Sequence, residues 1–309
     1  MISRRHIRLK VMQSLYAFRS QNERDILKGE RDMLKHIENI SELQLVIMSF
    51  LVSLIKHAES FYEEGKNKHL PTPKDLNPNI KFIDNSFVRI ILDNRELIKQ
   101  SKKISAFWYD NDHDIVRKIF MDILKSDEYG NYLSNSENNI EIDIKFFNNI
   151  LNNFILNNKI FHHMLEERSI YWIDDLPFVA TIIMGNFKLQ KIILPKTVFK
   201  NNIDKKFALN LFNLTIKNDS EYEKIIIKKA KNWDIERIAI MDQILIKMAF
   251  CEILNMPELP INVSLNEYIE ISKYYSTNKS KMFVNGLLDS AVSDFKNENK
   301  IKKVGRGLM

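Results

Sequence analysis

Glycine and proline are scarce, seven of each in 309 residues. Both residues punctuate strands, tight turns and phosphate-binding loops. Their scarcity disfavours a β-sandwich or a doubly wound dinucleotide fold and leaves an all-α chain as the expectation. Cysteine occurs once, at Cys251, which excludes an internal disulfide and a thiolate zinc cluster and suits a reducing cytoplasm. No cleavable leader is visible, because the opening MISRRHIRLK is basic and has no apolar stretch behind it. The longest apolar run, Leu43 to Ile55, is interrupted by Gln44, Ser49 and Ser53 and falls short of the about 20 residues a membrane span needs. A soluble cytoplasmic protein with no membrane contact is expected. The length exceeds the about 100–200 residues of a usual domain, so one large domain and two are both open.

What is present is a hydrophobic share of 45%, enough for a packed core, and an uneven distribution of charge. Residues 1–20 hold Arg4, Arg5, Arg8, Lys10 and Arg19 and no acid, which accounts for +5 of the net +6. Residues 21–206 come to −1 and residues 207–309 to +2, with the basic excess in Lys296, Lys300, Lys302, Lys303 and Arg306. A near-neutral body with basic ends fits phosphate contact at one edge. It fits two solvated ends as well, and charge alone does not choose.

Helical periodicity runs the length of the chain. Ile7, Val11, Leu15 and Phe18 recur at three- and four-residue steps and make one apolar face. The arginines crowd the first turns of that helix, where positive charge opposes the macrodipole at a cost of a few tenths of a kcal/mol each. That placement makes more sense for a contact surface than for stability. Helices are expected at about 22–39, 41–64, 86–104, 112–126, 141–157, 159–168 and more weakly 177–190. The three-proline stretch 65–78 reads as a loop, and the polar stretch 126–139 as a flexible surface loop. Further on, helices are expected at about 204–217, 234–254, from near Ile261, and 278–295, followed by a fraying basic tail at 296–309. Ser220 with Glu223, and Ser264 with Glu267, have capping-box spacing, the second either at a helix start or a turn inside the helix that begins near Ile261.

Catalytic constellations are not found. No GxGxxG or GxxxxGK[ST] occurs. His162 and His163 are adjacent and diverge by about 100° on a helix, so they do not chelate one metal together. Asp110, Asp112 and Asp114 lack the glycine and distal glutamate of a calcium loop and fit helix capping better. Cys251 lies on an apolar helix face and reads as an inert core thiol. No enzyme, cofactor or metal site is expected.

Four motifs carry a resemblance. SRRHIRLKVMQSLYAF (3–18), NWDIERIAIMDQILIKMAFCEIL (232–254), LPINVSLNEYIEISKYYS (259–276) and KMFVNGLLDSAV (281–292) resemble, in order, the opening helix and C-terminal motifs of the NusB family of bacterial transcription antitermination factors. The resemblance covers about 1–20 and 205–295. It departs from the family in some 180 intervening residues, and Lys279 and Cys251 replace an acidic residue and a tyrosine found in some relatives. It implies an all-α, NusB-like bundle of two helical halves, enlarged by a mostly helical insertion at 21–204. It further implies binding of boxA-type RNA with the NusE ribosomal protein within a transcribing RNA polymerase complex. Arg4, Arg5 and Arg8 would then meet phosphates and Tyr16 an unpaired base. Phe283 and Asn285 would lie near the RNA, with Lys279 and Lys281 adding charge.

Packing readings stand beside these. Tyr16 fits a boundary core position equally well, and Phe283 has core spacing with Leu287. Gly286, costing about 1 kcal/mol in a helix relative to alanine, asks for close helix approach or backbone access to a ligand. Asp242 and Lys247 face partly outward by periodicity and suit either partner contact or plain solvation. The alternative to an RNA-binding factor is a protein-interaction scaffold in ribosomal RNA transcription or maturation that does not read RNA directly.

Overall fold

A computed structural model describes residues 1–21, 24–109, 114–194, 197–230, 238–276 and 280–308. It is all-α, with fifteen α-helices and no strand among the described residues. The chain divides into two compact units, the first made of Met1–Ile37 with Phe199–Met309 and the second of Glu38–Val198.

The first unit contains α1 (Arg4–Ser20), the start of α2 (Ile26–Lys66), α11 (Asn202–Lys217), α12 (Asp219–Lys229), α13 (Ile240–Asn255), α14 (Ile261–Tyr275) and α15 (Ser280–Asn297). Its axis is α13, which packs against α1, α11, α12, α14 and α15. Every residue from Asp242 to Ile253 is buried, the signature of a helix enclosed on all sides. Burial on that scale favours partners for the polar side chains of α13, although Asp242 Oδ1 has none among the described residues. Gln243 accepts from Arg19 Nη1 at 3.0 Å and donates to the Ile238 carbonyl at 2.9 Å. After α15 the chain turns back, Val304 N–H donating to the Pro257 carbonyl and Lys303 Nζ to the Met256 carbonyl at 2.9 Å. The expected flexible tail is therefore tied down, because a lysine supplies donors to carbonyls that the end of α13 leaves unpaired.

The second unit contains the rest of α2 and α3 (Pro73–Leu76), α4 (Ser86–Leu92), α5 (Arg95–Tyr109), α6 (Ile115–Leu124), α7 (Asp127–Ser134), α8 (Ile140–Asn149), α9 (Lys159–Arg168) and α10 (Trp172–Lys188). A π-helical stretch, Ile150–Leu156, continues α8. Aromatic rings fill its core: Phe50 meets Trp108 and Phe161 at 4.9 and 5.1 Å, and Phe82 stacks on Phe147 at 5.6 Å. Helix α2 is long and apolar enough to cross a membrane by length and composition, yet 72% of its apolar window is buried within the protein, as in a core helix.

Several expectations change. The helices anticipated at 22–39 and 41–64 are the single α2. The polar stretch 126–139 contains α7, capped by Ser126 and anchored by buried Tyr129 and Tyr132, whose hydroxyl donates to buried Asp143 at 2.7 Å. Asn218, not Ser220, precedes α12; Ser264 lies a turn inside α14, which starts at Ile261 as expected, and donates its hydroxyl to Glu252. The asparagine-rich texture has a local use: Asn85, Asn139, Asn158 and Asn201 each cap a helix N-terminus with a side-chain oxygen.

Candidate nucleic-acid interface

The candidate surface begins at the first turn of α1. Ser3 caps it, its hydroxyl accepting from the His6 N–H. Three arginines follow within two turns, and their fates differ. Arg5 keeps 52% of its side chain exposed while donating twice to Glu267 of α14, at 2.9 and 2.7 Å. That contact raises the Arg5 pKa and lowers that of Glu267. Arg4 donates to Asp204 of α11 at 3.2 Å and lies over the Phe207 ring at 5.3 Å, with 38% of its side chain exposed.

Arg8 is not at the surface. Its side chain is 3% exposed, and it donates through Nε and Nη2 to the two oxygens of Glu252, at 2.8 and 2.6 Å. Glu252 also accepts from Ser264 at 2.6 Å and Tyr268 at 3.0 Å. Burial works to lower the Arg8 pKa, but the Glu252 carboxylate outweighs it and the value is raised. The expected phosphate contact of Arg8 is corrected accordingly. Its guanidinium faces a buried carboxylate that must be compensated, and it joins α1, α13 and α14.

Tyr16 lies eleven residues after Arg5, about 16 Å along α1, and is 42% exposed. On α15, Lys281 and Asn285 are exposed and Phe283 is half-buried. Asn285 donates to Asp289 at 3.3 Å, one turn on. A Cβ built on Gly286 meets nothing within 4 Å, so close helix approach does not explain this glycine. Lys279 lies outside the described residues.

Asp242 and Lys247 are both buried, which corrects their outward placement. Because α13 is enclosed, its polar positions point into the unit whatever their helical phase. Lys247 Nζ binds Asp219 at 2.6 Å and Glu223 at 3.3 Å, in the wall of a cavity of about 670 Å³ that Leu15, Phe18, Arg19 and Ile244 also line. Neither residue presents a free charge to a partner. The functional acids that sequence reasoning missed are Asp204 and Glu252, and Glu267 was singled out only for its capping-box spacing from Ser264, not as a partner of Arg5.

Among the described residues no group of three histidine, cysteine or acidic side chains is placed to hold a metal. Cys251 is buried and its thiol is pushed up to about 12 by burial.

Residues 188–293 match the model of the NusB family. Three curated relatives, each called transcription antitermination protein NusB, are similar to the chain. The protein of Chloroherpeton thalassium is 40% identical over 122 residues, 40% of this chain and 58% of the relative. That of Salinibacter ruber is 46% identical over 103 residues, 33% of the chain and 64% of the relative. That of Koribacter versatilis is 36% identical over 96 residues, 31% of the chain and 66% of the relative. The chain thus spans 58–66% of the length of these relatives. No solved structure matches it.

Proposed function

We propose, for a chain that carries a NusB-family domain at residues 188–293, that it is a non-enzymatic, cytoplasmic transcription antitermination factor. It binds boxA-like RNA of ribosomal RNA leaders together with the NusE ribosomal protein and acts on the transcribing RNA polymerase. The observation that carries the reading is the agreement of the NusB match with two arginines on the first turn of α1, Arg5 exposed and Arg4 half-buried. Arginine on phosphate and aromatic side chains under unpaired bases are the usual means of holding single-stranded RNA. Tyr16 is the stacking platform of α1. Lys281, Phe283 and Asn285 form the contribution of α15, and Lys279, which lies outside the described residues, adds charge next to them in the sequence. Gly286 supports this assignment, since an uncovered glycine lets a ligand approach the backbone of α15 closely.

One observation favours the scaffold reading. Arg4 and Arg5 already face Asp204 and Glu267, and an RNA phosphate has to compete with both carboxylates. Filter binding of a boxA-containing RNA, with and without NusE, separates the two. The antitermination reading expects binding that NusE strengthens, because two arginines make a small footprint. Each phosphate contact contributes about −0.7 to the slope of log affinity against log salt, so Arg4→Ala with Arg5→Ala flattens it by about 1 to 1.5. No binding in either mixture leaves the scaffold.

A further inference from the structure

The second unit holds 19 basic and 22 acidic residues, so as a whole it repels a polyanion. One helix departs from this. Along α5 the basic residues are Arg95, Lys99, Lys102 and Lys103, at steps of four, three and one. At 100° per residue they fall within an arc of about 100°. Leu97, Ser101, Ile104 and Trp108 are buried and occupy an arc centred on the opposite side. The four cations are all exposed.

What sets these cations apart is their clustering on one exposed face; four cations elsewhere in the unit are held in ion pairs. Lys66 binds Glu63, Lys68 binds Asp75, Arg89 binds Asp84 and Arg168 binds Glu42. None of the four on α5 has an ion-pair partner among the described residues. The one acid in the first turn of the helix, Glu96, accepts a hydrogen bond from Gln100 at 2.7 Å. The result is a rigid row of uncompensated positive charge about 12 Å long, at 1.5 Å per residue.

We infer that this face of α5 is a second RNA contact, binding the phosphodiester backbone without reading its sequence. The inference rests on the RNA-binding reading proposed above and gives the inserted unit a part in it. A row of cations on a fixed helix matches a polymer whose charges repeat, and releasing that polymer's counterions drives binding. An anionic membrane fits less well. A helix that lies on a lipid surface needs an apolar face to insert, and the apolar face of α5 is committed to the core.

The test uses the full chain and a boxA-containing RNA with unstructured single-stranded flanks. In the triple variant Lys99→Gln, Lys102→Gln, Lys103→Gln the salt slope flattens by about 2 units, three contacts at about 0.7 each. The matched control is Lys66→Gln, Lys68→Gln, Arg89→Gln, which removes three paired cations from the same unit and leaves the slope nearly as it was. An unchanged slope in the α5 variant overturns the inference. So does equal flattening in both variants, which would be an effect of net charge alone. Loss of binding to phosphatidylserine vesicles with RNA binding intact overturns it too, in favour of a lipid surface. The Arg4, Arg5 double variant, run alongside, keeps the two readings apart. If it alone flattens the slope, the α1 contact stands and the α5 contact falls; if the α5 variant alone does, the reverse holds.

Discussion

Arg8 and Glu252 stand 244 residues apart in the chain and are joined by two parallel hydrogen bonds in the interior of the first unit. Removing one member leaves the other charged and buried. Arg8→Ala is therefore expected to cost about 3–5 kcal/mol of stability. Arg5→Ala, which breaks an equally short but exposed pair, should cost about 1 kcal/mol or less. Urea titration of the two variants checks this, and similar losses in both would contradict the buried placement of Arg8.

Glu267 gives the first unit a pH dependence with a definite sign. Its hydrogen bonds from Arg5 lower its pKa beneath the ordinary 4.5. A depressed carboxylate contributes stability that is present above the unfolded value and fades as the pH falls through the folded one. Glu267→Gln should melt at a lower temperature than the unmodified chain at pH 7. The two melting curves should converge as the pH drops below 4.5. A constant gap down to acid pH would mean that the pair contributes through something other than charge.

Cys251 should be silent in the folded protein. Its thiol is buried and its ionisation is displaced to about 12, and only the thiolate attacks disulfide reagents. Reaction with such a reagent at pH 8 should follow global unfolding in denaturant. A fast native-state reaction would place the cysteine at the surface.

The α7 segment offers a test in the second unit. Tyr132→Phe removes the donor to buried Asp143 and should cost about 1–3 kcal/mol. Amide exchange across 127–134 should be slow in the unmodified chain. Fast exchange there would restore the flexible loop that its polar composition suggests.

The all-α class, α1 and the C-terminal helices were legible because apolar residues at three- and four-residue steps leave little choice of structure. Polar positions were not. Arg8 lies only about 40° from Arg4 on the helical wheel, so periodicity assigns both to one surface. What separates them is a carboxylate at position 252, and nothing in a single sequence pairs residues so distant. Lys247 misled in the same way, since a helix enclosed by five neighbours has no outward face for its phase to predict. In α7 two tyrosines three residues apart, among asparagines and acids, were too sparse a pattern to read as an anchored helix. The cations of α5 were visible as residues, but their lack of partners became apparent only in the folded unit.

The division of the first unit between two distant stretches also sets an order on its assembly. Residues 38–198 are contiguous and are all synthesised before the chain reaches Phe199. Helix α1 has to wait for α11, α13 and α14, the helices that bear its acidic partners. At about 5–20 residues per second, the 244 residues from Arg8 to Glu252 take about 10 to 50 s to emerge. Throughout that interval the apolar face of α1 and its arginines are without their final neighbours, while the inserted unit is finished at Val198, before α11, α13 or α14 has been made. The larger share of the chain's vulnerability to misassembly therefore falls on the first unit, split between two distant stretches, and the contiguous second unit is the part that can fold first.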